Sequence, residues 1–263
     1  MISGHTKMKN EINEIGKEVI DLEIKALKKL KSSINNSFND AVNAILKCKS
    51  KVIICGVGKS GRIASKISAT LSSVGTPSFS ISANDCSHGD LGRITNQDIL
   101  ILISYSGNTD ELKNIIKYAN RNKILLIGIV SKKDSILYKA SDIKLLIPQS
   151  LEAGGIIPTS STTTQLALGD ALAIATMQYK KFSKLDFKKL HPSGSLGTQL
   201  KTVEDIMLVG NKIPFVSDVM KMKRAINILS EKKLGVLIVR NKDKKTIGII
   251  TDGQIRRYNE KYS

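Results

Sequence analysis

Apolar side chains at Met8, Ile12, Ile15, Val19, Leu22, Ala26 and Leu30 recur in steps of three and four. That spacing puts them on one stripe of a helix over residues 8–30. A stripe this long needs a surface to cover, either its own domain or a second subunit. A shorter helix is predicted over 36–47, with Phe38, Val42, Ile45 and Leu46 inward. Beyond it the pattern changes. Runs at 51–55, 78–82, 98–103, 124–130 and 143–147 are short and apolar nearly throughout, as strands buried on both faces of a parallel sheet must be. Helical patterns at 61–73, 109–120 and 134–140 alternate with them. Repeated βα units with short connections predict an α/β fold, a doubly wound, mostly parallel five-stranded sheet. Ligands of such sheets sit outside the carboxyl ends of the strands. A long helix follows over 160–180, with Leu166, Leu168, Ala171, Leu172, Ile174, Ala175 and Met177 apolar and Ser160 and Ser161 as N-caps. The stretch Leu190-His191-Pro192-Ser193-Gly194-Ser195-Leu196-Gly197 breaks regularity and ends a first domain over 1–200. A small α+β unit over 203–263 comes after it. There Ala225, Ile226, Ile228 and Leu229 suit a helix, 235–239 and 246–250 suit strands around the turn 241–245, and Thr251-Asp252-Gly253 opens a last helix. A unit of about 60 residues has a thin core that needs a partner.

Composition narrows the class. With 4% aromatic residues and no Trp among 263 residues, Ile, Leu and Val must build the core. No apolar run approaches the roughly 18 residues of a membrane span, and the polar start lacks a signal-peptide core. No membrane partner and a cytoplasmic location are therefore expected. Cys48, Cys55 and Cys86 have no paired spacing and read as buried or free thiols. The net charge is +18, but 34 of the 41 basic residues are lysines dispersed along the chain. No basic run is interleaved with aromatics, so no nucleic-acid partner is expected. A field of this sign helps to collect phosphorylated substrates.

Three loops carry the candidate chemistry. Gly56-Val57-Gly58-Lys59-Ser60-Gly61 follows the first strand and opens a helix, the short form of a dinucleotide fingerprint. That fingerprint also wants an acid at the end of the second strand, which here is Ile81-Ser82, with Asp85 just beyond. A nucleotide P-loop fails, because Lys59-Ser60 would require glycine at Ile53. Ser104-Tyr105-Ser106-Gly107-Asn108-Thr109 follows the third strand, and Ser160-Ser161-Thr162-Thr163-Thr164 opens the long helix. Hydroxyls and backbone N–H groups at helix starts bind a phosphate dianion without arginine. Three such turns suit a small sugar phosphate better than a dinucleotide. Near them lie Lys59, Glu111, Glu152, His88 and His191, each also compatible with a structural role.

Together these stretches resemble the sugar isomerase (SIS) domain, and within it the D-arabinose 5-phosphate isomerases. The resemblance is carried by Gly56–Gly61, Gly75-Thr76-Pro77-Ser78-Phe79, His88-Gly89-Asp90-Leu91-Gly92, Ile103–Gly107, Pro158–Thr163, Gly169-Asp170-Ala171-Leu172-Ala173 and His191–Gly197. It implies a flavodoxin-like fold and the interconversion of D-arabinose 5-phosphate and D-ribulose 5-phosphate through an enediol(ate). That reaction supplies 3-deoxy-D-manno-octulosonate for lipopolysaccharide. The rival readings are another sugar-phosphate isomerase and a non-catalytic sugar-phosphate sensor. The resemblance implicates Lys59, Glu111, Glu152 and His191 in catalysis and Gly75, Thr76 and His88 in substrate contact. Ser104, Ser106, Thr109, Ser160, Ser161 and Thr162 are then expected to hold substrate. Glu152 is the expected base, its pKa raised by desolvation, with Glu111 assisting; the exchange of these roles fits equally well. No cofactor is implied. Family members bind an inhibitory divalent metal near His88 with a histidine six residues earlier, a position held here by Ser82. The tail, through Thr251-Asp252-Gly253-Gln254-Ile255-Arg256-Arg257, resembles one CBS motif where members commonly carry two. It is expected to pair with another subunit's motif or to be vestigial, with a nucleotide or sugar nucleotide as its candidate ligand. SIS-type sites form between subunits, so a homo-oligomer, a tetramer, is expected.

Overall fold

The computed structural model describes residues 2–191 and 202–262, with side chains for 11–183, 185–191 and 202–261. Two compact units divide the chain at Leu200 and Lys201. In the first, helices α1 (Ile2–Ser33) and α2 (Asn36–Lys47) precede the sheet. Strands β1 (Val52–Gly56), β2 (Ser78–Ser82), β3 (Ile99–Ile103), β4 (Leu125–Val130) and β5 (Ile143–Leu146) alternate with α3 (Lys59–Ser73), α4 (Ala83–Cys86), α5 (Lys113–Arg121) and α6 (Ile136–Ala140). α7 (Ser160–Tyr179) and α8 (Lys184–Leu190) complete the unit. All strand pairs are parallel, in the order β2-β1-β3-β4-β5. Chain order reverses between β1 and β3, and that switch point is where open α/β sheets bind ligands.

β1, β3 and β4 read as continuous apolar runs because both faces are covered, whereas the edge strands β2 and β5 carry Ser78, Ser80, Ser82 and Lys144. Ile54, Ile101, Ile103, Ile127 and Ile129 pack with Leu30 of α1, Ile45 of α2, Ile67 of α3 and Leu172 of α7. The alternate residues Ile53, Cys55, Leu100, Leu102 and Leu126 pack with Cys86, Ile115 and Leu137 of α4, α5 and α6. Burial pushes the Cys55 and Cys86 thiols up to about 12 and about 11, as expected of inert core cysteines. The α1 stripe is covered only in its second half. Ala26 and Leu30 are buried, whereas Ile12 and Ile15 stay 59% and 60% exposed.

α3 and α7 approach closely. A Cβ on Gly169 would collide with Ile67, and Lys66 pairs with Asp170 across the contact. The second unit contains α9 (Val203–Ile206), β6 (Phe215–Ser217), α10 (Met222–Lys232), β7 (Val236–Arg240), β8 (Thr246–Thr251) and α11 (Asp252–Tyr262). Its sheet is ordered β6-β7-β8, with β6 parallel and β8 antiparallel to β7. Only Val216, Ala225 and Leu237 form its buried cluster among the described residues, the thin core anticipated for a unit of this size.

Candidate functional site

The register sets Gly56 beside Ser82 on one side and Ile103 on the other, so the loops after β1, β2 and β3 leave the same edge of the sheet. After β1 the chain turns through Gly58, the N-cap of α3, with φ of +59°. Strand and helix then come so close that a Cβ on Gly56 would lie 2.8 Å from the backbone carbon of Ser60. The turn places Lys59 as the first residue of α3. A cleft of about 660 Å³ opens there, walled by Lys59, Arg62 and Ser65 of α3 and by Ser80 and Ser82 of β2.

The loop after β3 is stiff. Buried Ser104 accepts from the Gly107 N–H at 3.0 Å and lies 2.7 Å from the Thr109 hydroxyl. Gly107, at φ of +70°, leaves no room for a Cβ, which would collide with Ser135 and Val130. Asn108 accepts from the Ile136 N–H at 2.9 Å, tying the loop to α6. Ser106 accepts from the Asn108 N–H at 3.3 Å and is exposed. Glu111 lies just beyond, exposed, in a 3-10 turn over Asp110–Leu112.

The third segment runs from β5 to α7. The Tyr105 hydroxyl accepts from the Ser150 N–H at 3.0 Å, and this bond joins the β3 loop to that segment. Two residues on, Glu152 takes the duty assigned to the serines. Its Oε2 accepts from Thr159 N–H at 2.8 Å, Thr159 Oγ1 at 3.2 Å and Ser161 N–H at 3.3 Å. A carboxylate nine residues away in sequence therefore caps α7. Ser160 and Ser161 are buried inside the helix start, and the half-buried Thr162 hydroxyl donates to the Thr159 carbonyl at 2.9 Å. The cap also reverses the expected direction of the Glu152 pKa. Burial pushes it up, but hydrogen bonds from Ser161 and Thr159 outweigh burial and hold it below the ordinary glutamate value.

The remaining residues lie elsewhere. Gly75 and Thr76 precede β2, at the amino end of the strands. Thr76 is buried there and accepts from Lys180 Nζ at 2.9 Å. His88 sits exposed past α4, whose N-cap is Ser82. No group of three His, Cys, Asp or Glu that could hold a metal occurs among the described residues. The His191 ring stacks on Phe187 at 3.8 Å, with its Nδ1 2.9 Å from the Phe187 carbonyl oxygen. Pro192–Gly197 lie outside the described residues. Arg62, unmarked by the sequence reading, enters the cleft because it follows Lys59 by one helical turn.

The carboxyl edge of the sheet thus carries a lysine, a hydroxyl-rich loop and a carboxylate held below its ordinary pKa, group types suited to proton transfer on a small phosphorylated molecule. Comparison with known proteins agrees. Residues 45–175 match the SIS domain family. The chain is 42% identical to the arabinose 5-phosphate isomerase KdsD of Yersinia pestis over 250 residues, 94% of this chain and 76% of that protein. It is 39% identical to KdsD of Escherichia coli K12 over the same shares. Among solved structures, Escherichia coli CFT073 c3406 in complex with arabinose 5-phosphate superimposes with a TM-score of 0.67 at 36% identity, over 70% of this chain and 98% of that one. With more than a third of its residues shared along nearly its whole length, the chain belongs to the arabinose 5-phosphate isomerase family of SIS-domain proteins.

Proposed function

We propose that this protein interconverts D-arabinose 5-phosphate and D-ribulose 5-phosphate. The observation that carries the reading is the Glu152 carboxylate. It is held ionised by its cap, in a segment that Tyr105 ties to the Ser104–Thr109 loop, in a chain whose relatives are named for this activity.

Ser104, Ser106 and Thr109 and the start of α7 at Ser160–Thr162 receive the phosphate. Three donors fix Oε2 of Glu152, which orients Oε1 as the base. That oxygen takes the C2 proton of the open-chain aldose. The carbonyl oxygen gains negative charge as the enediol(ate) forms, and the Lys59 ammonium stabilises it. Return of the proton to C1 gives the ketose. Glu111 moves protons between the oxygens, and His191 assists ring opening. His88 completes substrate contact from a neighbouring subunit in a cytoplasmic homotetramer, while Gly75 and Thr76, at the opposite edge with Thr76 buried on Lys180, support the scaffold instead. Residues 1–200 form the isomerase domain, and 203–263 a single CBS motif with a nucleotide or sugar nucleotide as its ligand. Among the described residues no helix is long and apolar enough to cross a membrane.

The test is to incubate the metal-free protein with D-arabinose 5-phosphate and follow ribulose 5-phosphate, with other pentose and hexose phosphates as controls. Fast turnover of the arabinose phosphate alone supports the reading. Binding without turnover of any sugar phosphate replaces it with a sensing role.

A further inference from the structure

Arg62 has no duty in the chemistry above. It lies three residues after Lys59 on α3, so the two share a helix face, and both line the cleft. Among the described residues neither side chain has an ion-pair or hydrogen-bond partner, whereas Lys51, Lys66, Arg93 and Lys113 each pair with an aspartate. Cations in the first turn of a helix face the positive end of its dipole and are disfavoured there; an anion is what that end attracts.

A second helix packs against α3. The contacts Lys66–Asp170 and Thr76–Lys180 both join residues 104 apart. α3 and α7 therefore run in the same direction. Both helices start toward the carboxyl edge of the sheet. Within the first two turns of α7, Ser160 Oγ and both amide atoms of Gln165 are buried without a hydrogen-bond partner. Buried polar groups are seldom left unpaired. Glu152 already caps the start of α7, whereas the start of α3 carries two unpaired cations beside an open cleft, and these call for an anionic ligand rich in oxygen.

The geometry points to Arg62 as a further substrate-binding residue, its guanidinium holding the sugar phosphate alongside Lys59 in ground state and transition state alike. This rests on the sugar-phosphate reading of the site. Uniform binding of this kind appears in KM and leaves kcat alone.

The experiment compares Arg62→Gln and Arg62→Lys with the wild-type full chain. For Arg62→Gln, KM for D-arabinose 5-phosphate should rise about tenfold, the order of one charge-assisted hydrogen bond, with kcat within about twofold. The dependence of KM on salt should flatten, and Arg62→Lys should restore part of the loss. The unfolding midpoint should not fall, because glutamine removes a charge that the helix end disfavours. A KM within about twofold of wild type, a kcat loss at unchanged KM, or a lowered midpoint overturns the assignment. If the wild-type protein turns over no sugar phosphate, the isomerase reading fails on its own. Calorimetric binding of D-arabinose 5-phosphate then decides Arg62: weaker binding by the Gln variant supports it and equal binding overturns it.

Discussion

Glu152→Gln tests two duties that the structure loads onto one side chain. As a cap, the carboxylate receives three hydrogen bonds on Oε2 at the start of a 20-residue helix. Glutamine keeps an oxygen acceptor at that place but loses the charge. What disappears is the favourable interaction with the helix dipole and the charge-assisted share of the hydrogen bonds, together about 1 kcal/mol. For a chain of this size that lowers the unfolding midpoint by about 2–4 °C. Glu152→Ala leaves the Thr159 and Ser161 N–H groups without their acceptor and costs about 2 kcal/mol. As a base, the same carboxylate is worth about 10²–10⁴ in rate. The Gln variant should therefore lose at least about a hundredfold in kcat while remaining folded.

Proton linkage gives a further handle. The folded pKa of Glu152 is held below its unfolded value, so its contribution to stability is fully present above the unfolded value of about 4.3 and is lost as pH falls through the folded one. Activity follows the same ionisation, and the acid limb of kcat/KM for the wild type should lie below the ordinary glutamate range. Calorimetry across pH and ketose formation from D-arabinose 5-phosphate read the two duties separately. Unchanged turnover in Glu152→Gln would refute the base, and an unchanged midpoint in Glu152→Ala would refute the cap. An acid limb of kcat above pH 6 would show that bound substrate displaces the cap and lets desolvation win.

Two other perturbations examine the scaffold beneath the site. Asp98 ties the amino ends of β1 and β3; burial pushes its carboxyl up, but bonds from Ser50, Thr95 and Lys51 hold it at about 2. It should contribute about 2 kcal/mol above pH 4, lost as pH falls from 4 toward 2, so Asp98→Asn should lower stability at pH 7 by that amount and flatten the acid limb of an unfolding titration. Gly107→Ala combines a left-handed backbone with a collision against Ser135 and Val130, and should cost about 3 kcal/mol in denaturant unfolding and abolish measurable affinity for the sugar phosphate.

Much of this arrangement was legible from the chain, for identifiable reasons. The five strands of the first unit fall within two residues of their predicted bounds, and β1, β3 and β4 stand out because each is a continuous apolar run, the pattern of a strand covered on both faces. β6 escaped because three residues, Phe215-Val216-Ser217, carry no period. The α7 cap escaped because its acceptor, Glu152, arrives through a loop rather than through the residue before the helix. With that, the direction of the Glu152 pKa escaped too, since its two opposing causes depend on contacts that no spacing reveals. Arg62 carried a usable signal, its three-residue distance from Lys59. The position of Gly75 and Thr76 carried one as well: a loop from helix to parallel strand lies at the amino edge, opposite the loops that leave strands.

That opposition bears on how a complete site is assembled. Lys59, Ser104 and Glu152 leave one edge of the sheet, while His191 is held on α8 by its stack on Phe187 and makes no contact with them among the described residues. If His191 serves chemistry, the proposed oligomer supplies it across a boundary between copies. Ile12 and Ile15 on α1, and Leu151 and Ile156 beside Glu152, are more than half exposed and give such a boundary apolar surface. Subunit exchange tests this without any structure of the assembly. Lys59→Ala and His191→Ala homo-oligomers should each be nearly inactive. When mixed in equal amounts and allowed to exchange subunits, about a quarter of the sites would combine an intact Lys59 with an intact His191 from different copies, restoring about a quarter of wild-type kcat. A site built within one chain restores nothing on mixing, because every chain carries one lesion. A His191→Ala protein that is fully active alone removes the histidine from the chemistry and leaves it as the ring that packs on Phe187.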